Sequence, residues 1–191
     1  MHLARRAWCR TYQTVFRIAL PILPYTEPRI LEHAEDVPAV LQKRSIQKVL
    51  IVTDPGIARL GLTAPLERAL TAQGIGVTVY AETRANPTVS NVEEAAALYR
   101  ENDCRAIIGF GGGSAMDCAK GVGARIAQPN KLINKMRGLL RVHRLLPLLI
   151  AVPTTAGTGS EVTLAAVITD NETHYKYPIN DIVLIPSFAV H

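Results

Sequence analysis

The chain has 191 residues, of which 48% are hydrophobic and only 5% aromatic, which suits a single globular domain with an aliphatic core. Its formal charge of +5 is unevenly placed: eleven bases lie in two acid-free stretches, before Glu27 and between Asp117 and Glu161, and the other ten face 16 acids. That balance argues against a generally basic nucleic-acid binder, and no apolar run of about 18 residues exists to span a membrane.

Taken in chain order, the first stretch carries Arg5, Arg6, Arg10 and Arg17 with no acid. It reads as a basic surface helix rather than a transit peptide. Residues 1–45 are taken as an N-terminal basic segment with a first-strand region, and residues 46–191 as the main domain. "KVLIVTD" (48–54) is a β-branched strand ending in a "DPG" turn. "APLERALTAQG" (64–74) is a helix stopped by Gly74. A strand over 77–82 and a helix over 90–103 follow, with Ser90 as the expected N-cap. "RAIIGFG" (105–111) is a strand and 114–127 a helix. The link over 128–145 is basic and expected at the surface. Strands follow over 146–153 and 164–170, then short extended segments to His191. Apolar strands alternating with helices imply an α/β fold with a Rossmann-like parallel sheet flanked by helices.

Two loops carry the chemistry. Gly111, Gly112 and Gly113 stand between a strand and a helix, where glycine lets an anion approach the backbone and the helix start offers free N–H groups. Ser114 and Asp117 have capping-box spacing, which marks the helix start. The loop is neither G-x-G-x-x-G, because Met116 stands where the last glycine would be, nor a Walker A loop. The second loop, "PTTAGTGSEVT" (153–163), follows the next strong strand and offers the hydroxyls of Thr154, Thr155, Thr158 and Ser160 to ribose or phosphate oxygens. Asp54, at the end of a strand, suits either an adenosine ribose, favouring NAD over NADP, or simply the start of a turn.

The segments "GGGSAMDCAK" (111–120) and "PTTAGTGSE" (153–161), with "VLIVTD", "NPT" (86–88) and "ITD…KY" in order, resemble the iron-containing (group III) alcohol dehydrogenase family from about residue 46 onward. The resemblance implies a nucleotide-binding domain of the dehydroquinate-synthase-like kind. It implies that Gly112, Gly113, Ser114 and Asp117 hold the pyrophosphate of NAD, and that Thr154, Thr155 and Thr158 contact the rest of the dinucleotide. Asp54 would select NAD, with Asn86 and Lys176 close to the cofactor. The family also uses a divalent metal, iron or zinc, bound by one Asp and three His of a C-terminal helical domain, which is expected to lie beyond residue 191. Residues 27–38 lack the glycine usual near the first strand of the family. His2, His33, His143, His174 and His191 show no ligand spacing, and Cys118 reads as a packed small residue. Cys9, Cys104 and Cys118 form no CxxC pair, which fits a reducing cytoplasm.

The expected function is NAD-dependent interconversion of a small alcohol and its aldehyde, with this chain as the cofactor-binding part and no catalytic residue of its own. The alternative is a non-catalytic nucleotide-binding fragment. Neither nucleic acid nor membrane is an expected partner, and the apolar strand at the chain end leaves self-association into a homo-oligomer open.

Overall fold

A computed structural model describes residues 26–191 together with Arg10 and Thr14, so the expected basic N-terminal helix, Cys9 and His2 lie outside the described residues. The central sheet has six strands in the order β1-β9-β6-β4-β2-β3, all paired in parallel. They are β1 (Arg29–Leu31), β2 (Lys48–Val52), β3 (Gly76–Tyr80), β4 (Ala106–Gly111), β6 (Leu148–Pro153) and β9 (Phe188–Val190). The helices are α1 (Val37–Gln42), α2 (Pro55–Arg59), α3 (Ala64–Ala72), α4 (Val89–Glu101) and α5 (Gly113–Ala127). Because β1 pairs with β9, the sheet takes in residues on the N-terminal side of position 46.

The pleat explains why the strands read as apolar throughout. Leu50, Val52, Ile107 and Leu149 point to one face, where Val92, Ala95, Ala119 and Val122 of α4 and α5 cover them. Val49, Ile51, Ile108 and Ile150 point to the other, against Val37, Leu41, Leu66 and Leu70 of α1 and α3. Each fully buried Leu or Ile contributes about 1.5–3 kcal/mol, so the three central strands carry much of the stability.

Several expectations change. The strand over 164–170 belongs to a second, mixed sheet of β5 (Gly138–Leu139), β8 (Lys176–Asn180) and β7 (Ala165–Thr169), in which β7 and β8 run antiparallel. Ala166, Ile168, Tyr177 and Ile179 pack into the α4/α5 side of the core, so this small sheet covers α5. The basic link is not simply a surface segment. Ile133, Met136 and Val142 within it are fully buried, and the Asp181 carboxylate accepts the Val142 N–H at 3.0 Å. One of its bases is engaged within the link, where Lys131 Nζ donates to Arg141 O at 2.7 Å. Helix α4 starts two residues early, because Thr88 is its N-cap and forms a capping box with Asn91, displacing Ser90. The "DPG" turn is the first turn of α2. Among the described residues no helix is long and apolar enough to cross a membrane.

Candidate cofactor-binding site

From β2 the chain passes outward to β3, then returns to β4 on the opposite side of β2. Strand order therefore switches between β2 and β4, the position where open α/β sheets leave a crevice at their carboxyl ends. A cleft of about 780 Å³ lies there, with Asp54, Gly112, Gly113, Ser114, Thr154 and Thr155 in its walls. Leu60 and Ile57 add apolar surface to the lining, and Asp54, Glu82 and Arg84 add charge.

The glycine wall is built by necessity at Gly111. Its φ is +143°, and a Cβ there would stand 3.0 Å from the Cβ of Ala115. Gly112, in extended backbone, is the N-cap of α5 and provides no side-chain cap. The first N–H groups of α5 thus open towards the cleft without a competing side chain, a ready anion site backed by the helix dipole. The expected capping box between Ser114 and Asp117 does not form, since the N-cap is Gly112, two residues too early for it. Ser114 instead accepts a hydrogen bond from the Asn86 N–H at 3.3 Å. Asp117 turns its carboxylate to β7, where Oδ2 accepts the Val167 N–H at 3.0 Å, and it is absent from the cleft wall. Burial pushes the Asp117 carboxyl above its usual range, against the opposing pull of that N–H and of Lys120.

The threonine loop closes over the glycines. Thr154 N–H donates to Gly111 O at 3.0 Å, joining the loops at their base. A Cβ on Gly112 would lie 3.1 Å from Thr155 Oγ1, and one on Gly113 would lie 3.6 Å from Thr158 Cγ2. Asp54 is the N-cap of α2. Its Oδ1 accepts the N–H groups of Gly56 and Ile57 at 2.9 and 3.0 Å, capping α2, and the side chain also walls the cleft. Asn86 takes a left-handed φ of +61°, and its Oδ1 accepts Lys176 Nζ at 2.9 Å. Asn86, Ser114 and Lys176 are therefore linked, and they tie the "NPT" turn and β8 to the start of α5. Cys118 is fully buried, with its thiol pushed up to about 12 by burial, as suits a packed residue.

Two features were not visible in sequence. Glu82 and Arg84, in the link after β3, line the cleft. Lys120 reads as one base in an acid-free run, yet it is 1% exposed and its pKa is lowered to about 8 by burial, with Asp117 and Glu161 opposing. The only hint is its placing in a helix whose other residues, Asp117 and Arg125 apart, are small or apolar.

A parallel sheet with a cleft at its switch point, walled by bare helix-start backbone on one side and hydroxyls on the other, defines an open α/β domain with a ligand-sized crevice. The profile of the family described as "Iron-containing alcohol dehydrogenase" matches residues 30–191, and the chain belongs to that family. It is 39% identical over 134 residues to choline dehydrogenase of Bacillus subtilis, covering 69% of this chain and 33% of that protein. It is 32% identical to the NAD-dependent methanol dehydrogenase of Bacillus methanolicus, over 82% of this chain and 41% of the relative. Among solved structures, an alcohol dehydrogenase from Oenococcus oeni superposes with a TM-score of 0.81 at 34% identity, over 87% of this chain and 45% of that one. The chain thus spans between a third and half the length of these proteins.

Proposed function

We propose that this chain holds NAD(H) for hydride transfer between a small alcohol and its aldehyde, as the cofactor-binding part of an NAD-dependent alcohol dehydrogenase. The observation that carries this reading is the cleft itself, where the uncapped start of α5 faces Thr154 and Thr155 across a gap lined by glycine. The residues fit a dinucleotide. The N–H groups after Gly112 suit a pyrophosphate, and the hydroxyls of Thr154, Thr155 and Thr158 suit neutral oxygens of the cofactor. Asp54 keeps Oδ2 outside its capping bonds, which suits a ribose diol and repels a 2′-phosphate. Lys176 and Asn86 frame the other side of the loop. Asp117 contributes indirectly, by fixing α5 to β7.

When bound, the nicotinamide ring supplies the hydride acceptor. The chain's part is to bind and orient it. Among the described residues no group of three or more His, Cys, Asp or Glu side chains could hold a metal, so no step is assigned to one. The substrate class is a small-molecule alcohol or aldehyde. The unpaired Cys104 and Cys118 support a cytoplasmic setting. The test is a titration of the purified chain with NADH, followed by fluorescence, beside an assay with NAD, an alcohol and Fe²⁺ or Zn²⁺. Saturable binding without NADH production is expected. Robust turnover by the chain alone would contradict the assignment of a purely cofactor-holding role.

A further inference from the structure

Lys120 lies one helical turn beyond Asp117 on α5, and its side chain is buried. Nζ donates to Thr163 O at 2.7 Å, to Thr163 Oγ1 at 2.9 Å and to Ala165 O at 3.0 Å. An ammonium has three hydrogens, so its donor capacity is spent. All three acceptors belong to residues 163–165, the point where the threonine loop leaves for β7. The charged groups that face Lys120 are Asp117 on its own helix and Glu161 on the loop's last turn.

The loop has few other anchors. Its entry is held by the bond from Thr154 N–H to Gly111 O at 3.0 Å, and near its exit Ser160 hydrogen-bonds Asp117 and Leu164 O accepts the Asp181 N–H at 3.0 Å. Residues 154–158 are exposed, and Gly157 and Gly159 take left-handed φ values of +93° and +61°. Thr155 nevertheless stands close over Gly112, and Thr158 and Ser160 close over Gly113. On the exit side Lys120 makes the most bonds, three to residues 163–165. It sits on the helix whose start forms the glycine wall, and it grips the end of the segment that forms the threonine wall. Burying an ammonium is costly, and an apolar side chain would fill the same volume, so the gain lies in fixing one arrangement.

We propose that Lys120 is a positioning residue for the cofactor. By holding Thr163 and Ala165 it sets the threonine loop against the glycine loop, so NAD(H) affinity depends on a side chain that does not line the cleft. The inference rests on the cleft being the NAD(H) site.

The test compares Lys120→Met, Thr163→Val and Thr163→Ser with the wild-type chain, by NADH titration and by hydrogen exchange without ligand. Lys120→Met is expected to weaken NADH binding about tenfold or more, and Thr163→Val about threefold. Both are expected to speed exchange over residues 154–165 while α4 keeps its protection. Thr163→Ser keeps the hydroxyl and is expected to restore both readouts, which a merely space-filling role would not require. If Lys120→Met does not fold, the Thr163 pair decides. Unchanged loop exchange in the folded variants, or equal losses in Thr163→Ser and Thr163→Val, overturns the proposal. Should the wild-type chain fail to bind NADH, the cofactor reading fails by itself, and the exchange data still report whether Lys120 holds the loop.

Discussion

Gly111 and Gly112 are neighbours, yet alanine should damage different properties at each. At Gly111 the backbone has φ +143°, a conformation that side chains rarely adopt, and the new methyl would meet Ala115 Cβ at 3.0 Å. Such strain costs about 1–3 kcal/mol, or roughly 3–10 °C in Tm for a chain of this size. At Gly112 the backbone is already extended, with φ −82° and ψ −170°, so alanine adds no backbone strain. Alanine is a poorer N-cap than glycine by up to about 1 kcal/mol, but it also lowers the entropy of the unfolded chain by about 0.4–1 kcal/mol. These effects nearly cancel, and stability should change by less than about 1 kcal/mol. The methyl would stand 3.1 Å from Thr155 Oγ1, between the two walls of the cleft. A phosphate could then no longer reach the α5 N–H groups closely. Gly112→Ala should weaken NADH binding about 10- to 100-fold, equivalent to about 1.4–2.7 kcal/mol. Thermal unfolding by circular dichroism and an NADH titration on both variants make the comparison. Equal Tm losses at the two positions, or unchanged NADH affinity in Gly112→Ala, would refute the reasoning.

Three further outcomes follow from the same geometry. Asp54→Asn keeps an acceptor for the Gly56 and Ile57 N–H groups but removes the charge, so it should leave Tm within a few degrees and narrow the preference for NADH over NADPH, whereas Asp54→Ala should also lose about 0.5–2 kcal/mol of capping; competition titrations and unfolding curves separate the two. Lys120 has a folded pKa lowered from 10.5 to about 8, so between those values the unfolded chain binds more protons and this group's contribution to stability rises with pH. The unfolding free energy from urea titration, wild type minus Lys120→Met, should therefore increase from pH 8 to 10.5, by up to about 3 kcal/mol, and a flat difference would contradict it. Taking the difference matters because Tyr99 and Tyr177, each raised to about 12 by burial, act in the opposite sense at high pH. Finally, Cys118 is fully buried with its thiol raised to about 12, so a thiol reagent should label it only on unfolding, as peptide mapping would show.

What could be read from sequence was local or strongly patterned. β2, β4 and β6 are buried on both faces, so each is apolar along its length and stands out without tertiary information. The two loops were legible because their chemistry is written in adjacent residues. The small sheet was not, because β5 has only two residues and gains its place by pairing with β8, some 40 positions away. Ile133 and Met136 are hidden by the same long-range packing, within a segment whose bases suggested solvent. Ser114 and Asp117 show the limit of spacing rules. The capping box needs Ser114 at the N-cap, but the helix starts at Gly113, and Asp117 goes to the Val167 N–H, a partner 50 residues distant. Lys120 is the same case in stronger form, since all its acceptors lie more than 40 residues along the chain.

The most direct measurement is calorimetric titration of the purified chain with NADH at neutral pH. A single saturable site, filled by NAD(H) in preference to NADPH and weakened in Gly112→Ala, is the predicted result. An absence of saturable heat with a folded wild-type chain, or binding indifferent to Gly112, would contradict the assignment of the cleft between the glycine and threonine loops as the cofactor site.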